Sequence, residues 1–258
     1  MAKIITLVNQ KGGVGKTTSA INLSTYLALA GKRVLLVDLD PQGNASSGLG
    51  LDTRNLKRSL YHCLILNEPI QSIIVKNTEK GPDIAPADQE LAGASMELAQ
   101  FENREFRLLE ILSQLHSAYD YIIIDSPPSL GLLTINGLVA SGEVIVPVQT
   151  EYFALEGLGQ LINTIELVKE NLQPKLRIGG ILLTMYDRRN RLSRQVVKEV
   201  REFFAGYVFD SVIPRTVRLA EAPSFGKSIF HFDGFNKGAR AYRQLAEEII
   251  KRNQFPKK

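Results

Sequence analysis

Short apolar runs alternate with longer stretches of helical periodicity along most of this chain. Runs such as Ile122-Ile123-Ile124 lack polar alternation, which predicts strands buried on both faces. The predicted strands are Ile4–Val8, Arg33–Val37, Tyr121–Ile124, Val144–Val148 and Ile178–Thr184. The predicted helices are Thr17–Ala30, Glu102–Leu115, Leu155–Glu170, Arg194–Phe204 and Gly238–Arg252. Residues 52–99 are less regular, and we expect short helices and an edge hairpin there.

The repeated order of strand, helix and strand predicts an α/β fold. Its mostly parallel, twisted sheet should be flanked by helices on both faces. No internal repeat or low-complexity linker interrupts the sequence, so we predict one domain over residues 1–258. No window reaches the roughly 18 apolar residues of a membrane span, and the first apolar stretch is too short for a secretory signal. With Cys63 as the sole cysteine, these features favour the cytoplasm.

Charge is distributed unevenly along the chain. Residues 175–258 contain 18 Lys and Arg against 8 Asp and Glu, a net charge of +10, whereas residues 1–174 contain 13 against 19, a net charge of −6. A basic third on an acidic body suggests a surface that faces a polyanion. Charge counts alone leave open a solvated basic face without a ligand.

A glycine-rich loop lies between the first predicted strand and the first predicted helix. Its residues are Lys11-Gly12-Gly13-Val14-Gly15-Lys16-Thr17-Thr18. Glycines let backbone N–H groups approach phosphate oxygens, and the helix directs its N-terminal dipole at the same anion. Lys16 would neutralise phosphate charge, Thr17 would ligate Mg²⁺, and Thr18 could contact the α-phosphate. The standard pattern has a glycine where this chain has Gln10, so the match is imperfect.

Aspartates follow two other predicted strands. Asp38 and Asp40 close the second strand, and Asp125 closes the strand that begins at Tyr121. The carboxyl ends of parallel strands lie at one edge of the sheet, beside the glycine-rich loop. Carboxylates there would hold Mg²⁺ and orient a water molecule. Helix capping or turn formation would explain one of these aspartates, but explains three beside one phosphate loop poorly.

These motifs resemble the ParA/Soj family of partitioning ATPases, which are P-loop NTPases of the deviant Walker A, SIMIBI type. The resemblance rests on the loop from Lys11 to Thr18, the stretches 38–44 and 125–128, and the segment Val212–Lys227. It covers nearly the whole chain and corresponds to the short form, which has no N-terminal DNA-reading domain. It implies an ATPase that uses ATP and Mg²⁺, dimerises around ATP and hydrolyses it slowly when alone.

The resemblance also implies roles for individual residues. Lys11 would reach across a dimer interface to the partner's nucleotide, and Gly12 would be small because the partner's backbone passes close. Asp40 is the candidate for positioning the attacking water. Asp125 would hold Mg²⁺ through water, and Asp38 would shape the magnesium and switch geometry.

Base recognition and DNA binding are implied by the same family. The base would lie between the strand end at Met185 and the loop of Pro214 and Arg215. In ATP-bound dimers of this family, basic residues in the C-terminal third bind DNA without sequence specificity. The candidates here are Arg188, Arg189, Arg191, Arg194, Arg215, Arg218 and Lys227. Pairing within a helix is an alternative for Arg194 and Lys198, since Glu199 and Glu202 are near.

The expected partners are a second copy of the chain, double-stranded DNA and a ParB-type centromere-binding protein, at the nucleoid. A MinD-like membrane ATPase is the main alternative, but residues 253–258 are too short and polar for an amphipathic anchor. A reductase similar to the nitrogenase iron protein would need two cysteines per subunit. A binding module with an inactive site is disfavoured because Lys16, Thr17, Asp40 and Asp125 are present.

Overall fold

The computed structural model describes residues 2–77, 80–151 and 154–254. Six strands among these residues form one sheet in the order β3-β2-β4-β1-β5-β6. All neighbouring strands are parallel. The strands are β1 (Lys3–Leu7), β2 (Val34–Asp38), β3 (Asp83–Ala85), β4 (Tyr121–Asp125), β5 (Glu143–Gln149) and β6 (Arg177–Thr184). The predicted α/β fold with a parallel sheet is confirmed.

The helices connect successive strands and cover both faces of the sheet. They are α1 (Lys16–Leu29), α2 (Asn44–Gly48), α3 (Leu60–Ile65), α4 (Leu91–Leu98), α5 (Arg107–Ser113), α6 (Leu132–Ala140), α7 (Ala154–Asn171), α8 (Arg191–Phe203), α9 (Val217–Glu221), α10 (Ile229–Asp233) and α11 (Lys237–Gln254). Short 3₁₀ turns occupy Ile70–Ser72, Arg104–Phe106 and Ala222–Phe225. In the described part of the chain, no helix has the length and apolar character that crossing a membrane requires.

Successive residues of each strand point to opposite faces, and the core divides accordingly. Ile5 packs into a cluster with α1, α10 and α11. Ile4 packs on the other face with α3, α4 and α5. Val144 and Val146 extend that second face towards α7 and α8. Burial on both faces explains why the strands lack polar alternation.

Strand order places β1 between β4 and β5. The chain turns from β1 towards one side of the sheet and later returns to extend the other side. Such a reversal creates a crevice at the carboxyl ends of the strands. The register brings Asp38 of β2 opposite Asp125 of β4, and Asp125 opposite Leu7 of β1. The loop that follows β1 therefore starts beside Asp125, and Asp38 lies one strand further along the same edge.

The structure refines two local predictions. In residues 52–99 the edge of the sheet is β3, which pairs in parallel with β2, and the predicted edge hairpin is reduced to a minimal antiparallel pairing. Among the described residues, antiparallel pairing in that segment is limited to one bridge, in which Val75 and Ile84 exchange backbone hydrogen bonds of 2.8 and 3.0 Å. The helix predicted over Glu102–Leu115 is also shorter, because Asn103 adopts a left-handed conformation with φ 53° that a helix cannot include.

Helix α8 begins three residues before its predicted start at Arg194. The side chain of Asn190 accepts a hydrogen bond from the backbone N–H of Leu192 at 2.9 Å. This N-cap satisfies a donor that the first helical turn would otherwise leave without a partner. The earlier start places Arg191 as well as Arg194 on the first turns of the helix.

Candidate nucleotide-binding site

The glycine-rich loop from Lys11 to Thr18, the P-loop, has a backbone conformation suited to binding phosphate. Gly13 and Gly15 have φ values of 75° and 87°, in the left-handed region that favours glycine. Gly15 is the N-cap of α1, where no side chain caps the helix and no acidic residue occupies the first turn. The N–H groups of that turn are therefore available to an anion, with the helix dipole aligned behind them.

Two hydrogen bonds fix the loop to neighbouring strands, and a third forms within the loop region. The Asn9 side-chain amide donates to the carbonyl of Pro147 in β5 at 2.6 Å. The Asn9 carbonyl oxygen in turn accepts from the backbone N–H of Lys11 at 2.9 Å. On the other side, the Thr184 hydroxyl at the end of β6 donates to the carbonyl of Val14 at 2.8 Å. The cradle is thus held in place by the protein itself.

Lys16 and the strand-end carboxylates form a buried charged cluster. Lys16 is only 6% exposed. Burial lowers the pKa of Lys16, and the negative charges of Asp125 and Asp40 oppose that change. The Lys16 ammonium therefore lies among acidic neighbours at the P-loop position whose lysine binds phosphate oxygens in this motif.

Asp125 is fully buried, and among the described residues no hydrogen bond of normal geometry reaches either carboxylate oxygen. Burial, and next the charge of Asp38, raise the pKa of Asp125 well above its usual value. The Thr17 hydroxyl and the Lys16 ammonium oppose this rise. A buried carboxylate that accepts no hydrogen bond of normal geometry is costly, and bound Mg²⁺ would reduce that cost.

These residues fit Mg²⁺ in the manner that this ion prefers. In the part of the chain that the structure describes, no three acidic, histidine or cysteine side chains converge into a ready metal site. Mg²⁺ is usually held by one or two carboxylates together with substrate phosphates and water. Thr17 and Asp125, beside the P-loop, are the residues that would supply that smaller protein share.

Asp38 is engaged by its own chain. Its Oδ2 accepts hydrogen bonds from the backbone N–H and the hydroxyl of Ser46, at 2.8 and 2.7 Å, and its Oδ1 accepts from the N–H of Asp40 at 3.3 Å. Burial raises the pKa of Asp38 to about 6, against the effect of these bonds. The Ser46 hydroxyl also accepts from the N–H of Ala87 at 3.1 Å. Asp38 and Ser46 therefore attach α2 to the sheet.

Asp40 lies at the wall of the phosphate cleft. It is 6% exposed, and its Oδ1 accepts from the N–H of Gln42 at 3.0 Å. The cleft has a volume of about 390 Å³, and it is also lined by Gly12, Gly13, Gly15, Lys16, Thr17, Thr18, Asn44, Ser47, Pro128, Met185 and Pro223. Asp40 therefore faces the same cleft as the phosphate loop and Lys16.

Lys11 and Gly12 have little side-chain contact with the described part of their own chain. The Lys11 side chain is 50% exposed, and its ammonium lies 3.8 Å from the equally exposed carboxylate of Glu151. A Cβ built on Gly12 would have no atom within 4 Å, and Gly12 does not have a positive φ. Nothing in the described chain itself therefore requires glycine at position 12.

A second cleft of about 340 Å³ continues from the first, because Gly15, Thr18 and Met185 line both. It brings together Met185, Pro214 and Arg215, the residues predicted to flank the base. The backbone N–H of Arg215 donates to the carbonyl of Tyr186 at 2.9 Å, so the loop runs beside the end of β6.

Sequence reasoning missed the remaining walls of this second cleft. They are Ile213, Thr216, Val217, Leu219, Ala220 and Tyr242, whereas Thr184 belongs to the strand end that was predicted to flank the base. The positive φ of Met185, 53°, turns the chain into the cleft. That conformation is uncommon for a side-chain-bearing residue and has no signal in the sequence.

The predicted DNA-binding residues are all exposed, but they do not form one group. Arg188, Arg191, Arg194 and Arg215 have no acidic side chain within 4 Å among residues 2–77, 80–151 and 154–254. Arg189 pairs with Asp187 at 3.4 Å, and Arg218 pairs with Glu221 and Asp233 at 3.1 and 3.6 Å. Lys227 lies apart, in a depression with Lys76 and His231. Lys198 pairs with Glu202 at 3.6 Å.

Comparison with known proteins agrees with this geometry. A family model described as an AAA domain matches residues 2–178. The chromosome partitioning protein ParA of Myxococcus xanthus is 51% identical over 98% of this chain and 89% of that protein. The sporulation initiation inhibitor protein Soj of Bacillus subtilis is 52% identical over 96% of this chain and 98% of that protein.

Among solved structures, one from Mycobacterium smegmatis matches with a TM-score of 0.89 and 38% identity, over 100% of this chain and 98% of that one. It is named cobyrinic acid a,c-diamide synthase and contains ADP and magnesium. The partitioning proteins are more similar in sequence, at about half identity over nearly the whole length. On these matches, and with its P-loop and strand-end aspartates, this chain belongs to the ParA/Soj family of chromosome-partitioning ATPases.

Proposed function

We propose that this ATPase is a dimerising switch, in which ATP is held between two copies of the chain and the ATP-bound dimer binds DNA without sequence specificity. The observation that carries the proposal is the state of Lys11 and Gly12. Both belong to the phosphate loop, yet the Lys11 side chain makes only one loose, exposed ion pair, and a Cβ at Gly12 would contact nothing in the described chain. A second copy that approaches this surface would bring its own Lys11 to the phosphates, and only glycine at position 12 would admit its backbone.

ATP and Mg²⁺ are the cofactors of the reaction. The P-loop N–H groups and Lys16 bind the phosphates, and Thr17 and Asp125 would hold Mg²⁺, which neutralises charge on the phosphate oxygens. Asp40 accepts a hydrogen bond from the attacking water and directs it at the γ-phosphate. Lys11 of the partner stabilises the charge on the transferred group. Turnover by one chain alone is slow because that last cation comes from the second subunit.

Base binding is assigned to the second cleft. Its walls are mainly apolar, with Met185 and Pro214 beside the continuation from the P-loop. A flat base would be held there between apolar side chains, while the phosphates extend to Lys16. We propose Arg215 as a candidate both for base binding and for DNA binding, since it lines this cleft and is also exposed.

DNA binding is assigned to the exposed arginines around the start of α8. Those without acidic partners, namely Arg188, Arg191 and Arg194, are the strongest candidates because DNA phosphates need not displace an ion pair. Arg189, Arg218 and Lys227 are weaker candidates for the reasons given above. A dimer doubles the number of contacts, which turns weak monomer binding into useful affinity. A ParB-type partner that stimulates hydrolysis would release the dimer from the nucleoid.

The test is binding of random-sequence duplex DNA with ATP, ADP or no nucleotide, using the hydrolysis-blocked variant Asp40→Ala. We expect binding with ATP only, and a steep loss of affinity with salt, about one unit of log–log slope for each phosphate neutralised. Arg191→Ala/Arg194→Ala should reduce both the affinity and the slope.

The matched control is Arg240→Ala/Arg243→Ala, which removes the same charge from exposed positions on α11. Equal losses in the two double variants would show that net charge, and not the α8 surface, determines binding. DNA binding that is independent of nucleotide would contradict the switch. Binding to anionic vesicles in place of DNA would favour the MinD-like alternative.

A further inference from the structure

Two glycines bring the segment after α2 into direct backbone contact with the turn that follows Ala222–Phe225. Gly50 and Gly226 have φ values of 86° and 63°, both in the left-handed region. A Cβ on Gly226 would lie 2.6 Å from the Cα of Gly50 and 3.1 Å from its nitrogen. A Cβ on Gly50 would lie 3.3 Å from the carbonyl oxygen of Gly226. Two backbones can approach this closely only where both residues lack a side chain.

A second close contact lies next to the first. A Cβ on Gly48, the last residue of α2, would lie 2.6 Å from Cδ1 of Ile21 and 3.6 Å from Cβ of Pro223. Helices α1 and α2 and the 222–225 turn therefore meet at one point. Both α2, through Asn44 and Ser47, and the turn, through Pro223, line the phosphate cleft.

On its other side, α2 is tied to the loop that carries Asp40. Asp38 accepts hydrogen bonds from Ser46 within α2 and from the backbone of Asp40. The N–H of Gly43 donates to the carbonyl of Asp40 at 2.9 Å, which closes the loop between them. Because these bonds join α2 and the Asp40 loop into one unit, a displacement at Gly50 is passed on to Asp40.

The 222–225 turn lies near the end of segment 214–227, which contacts two parts of the site. Residues 214–220 form one wall of the base cleft, and the same segment carries Arg215, Arg218 and Lys227. Lys227 directly follows Gly226. One continuous segment therefore touches the base cleft at its start and α2 at its end, with exposed basic residues along it.

We propose that the Gly50–Gly226 contact is a positioning element, which fixes the Asp40 loop against the 214–227 segment so that the state of the phosphate site and the placement of Arg215, Arg218 and Lys227 change together. The proposal rests on the proposed function for its DNA-binding half. Its catalytic half concerns only the position of Asp40 and is independent of DNA.

The test compares three substitutions to alanine at glycines with positive φ. Gly226→Ala creates the most severe clash and Gly50→Ala a milder one, whereas Gly31→Ala, with φ 79° and no atom within 4 Å of its Cβ, introduces similar backbone strain without a contact. For each variant, the ATP dissociation constant, kcat and KM for ATP hydrolysis, and the ratio of DNA affinities with ATP and ADP are measured.

We expect kcat to fall at least fivefold in Gly226→Ala and by less in Gly50→Ala, while the ATP dissociation constant stays within threefold of wild type. The ATP-to-ADP ratio of DNA affinities should fall in the same order, and Gly31→Ala should resemble wild type in both respects. Because Gly50 and Gly226 share one contact, their effects should not be additive. In the double variant, the combined loss in kcat and in the DNA-affinity ratio should be smaller than the two single variants together predict.

A Gly226→Ala protein with the kcat and DNA-affinity ratio of Gly31→Ala would overturn the proposal, as would fully additive effects in the double variant. If Gly226→Ala does not fold, Gly50→Ala makes the same comparison from the other side of the contact. If wild type shows no ATP-dependent DNA binding, the proposed function has failed, and the positioning role is then decided by kcat alone.

Discussion

Replacing Gly12 by valine would test whether the loop surface is reserved for a second copy of the chain. In the monomer, a Cβ at position 12 meets no atom within 4 Å, so we expect a stability change within about 0.5 kcal/mol. Gly13 is the matched comparison, because its Cβ would also be free of contacts but its φ is 75°. A side chain there costs about 1–2 kcal/mol for the left-handed backbone.

In the dimer the consequence should be much larger. The interface of a two-fold symmetric dimer contains each substitution twice. Each overpacked valine costs about 1–3 kcal/mol, so the free energy of dimerisation would become less favourable by about 2–6 kcal/mol. This corresponds to a roughly 30-fold to 10⁴-fold larger dissociation constant. ATP binding by the monomer should change little, because the phosphate contacts come from the loop backbone and from Lys16.

The assay measures two constants separately. Affinity for a fluorescent ATP analogue is measured at protein concentrations too low for dimers, and dimerisation is measured by light scattering after gel filtration, in the Asp40→Ala background with ATP. Gly12→Val should bind the nucleotide and remain a monomer. Dimerisation with wild-type affinity, or loss of nucleotide binding by the monomer, would refute the inference that position 12 faces a partner.

Two further variants test contacts inside the chain. Ser46→Ala removes the hydroxyl that joins Asp38 to the backbone of Ala87. Unfolding in urea should show that the free energy of unfolding falls by about 1–3 kcal/mol, and kcat should fall more than ATP affinity. Unchanged stability would contradict this role. Tyr242→Phe breaks the buried 2.9 Å hydrogen bond between Tyr242 and Ser19. The loss should lower the free energy of unfolding by about 1 kcal/mol and Tm by roughly 2–4 °C. An unchanged Tm in calorimetry would show that this bond does not contribute to stability.

The parts of the fold that follow from local pattern were predictable. The strands and the P-loop helix lie within one or two residues of their predicted bounds, as β1 and α1 illustrate, because burial on both faces leaves a clear apolar run. Asp38 and Asp125 could be placed at one edge for a topological reason, since parallel strands end together. The prediction for the edge of the sheet did not include a parallel strand, because β3 has only three residues and its pairing with β2 leaves little signal in the sequence.

Contacts between distant segments were beyond the reach of a single sequence. Ser46 gives no motif that would identify it as the partner of Asp38, because the pairing depends on how α2 folds back on β2. The left-handed Met185 is likewise fixed by its neighbours and not by its residue type. The contact of Gly50 with Gly226 joins residues far apart in the chain, and each glycine by itself is compatible with an ordinary turn.

A phosphate loop alone would serve a rigid metabolic enzyme as well as a switch, so the distinction has to come from how the two lysines of the loop differ. Lys16 is buried against Asp125 and Asp40, and its charge is matched within the chain. Lys11 is half exposed, with only a loose contact to an exposed glutamate, and a loose surface pair contributes little to stability. If the proposed dimer forms, a cation held so loosely by its own chain would be available to the nucleotide of the second copy. The sequence places the two lysines five residues apart in one motif, and the structure adds that they differ in burial, which is the difference that the proposed roles in nucleotide binding and dimerisation require.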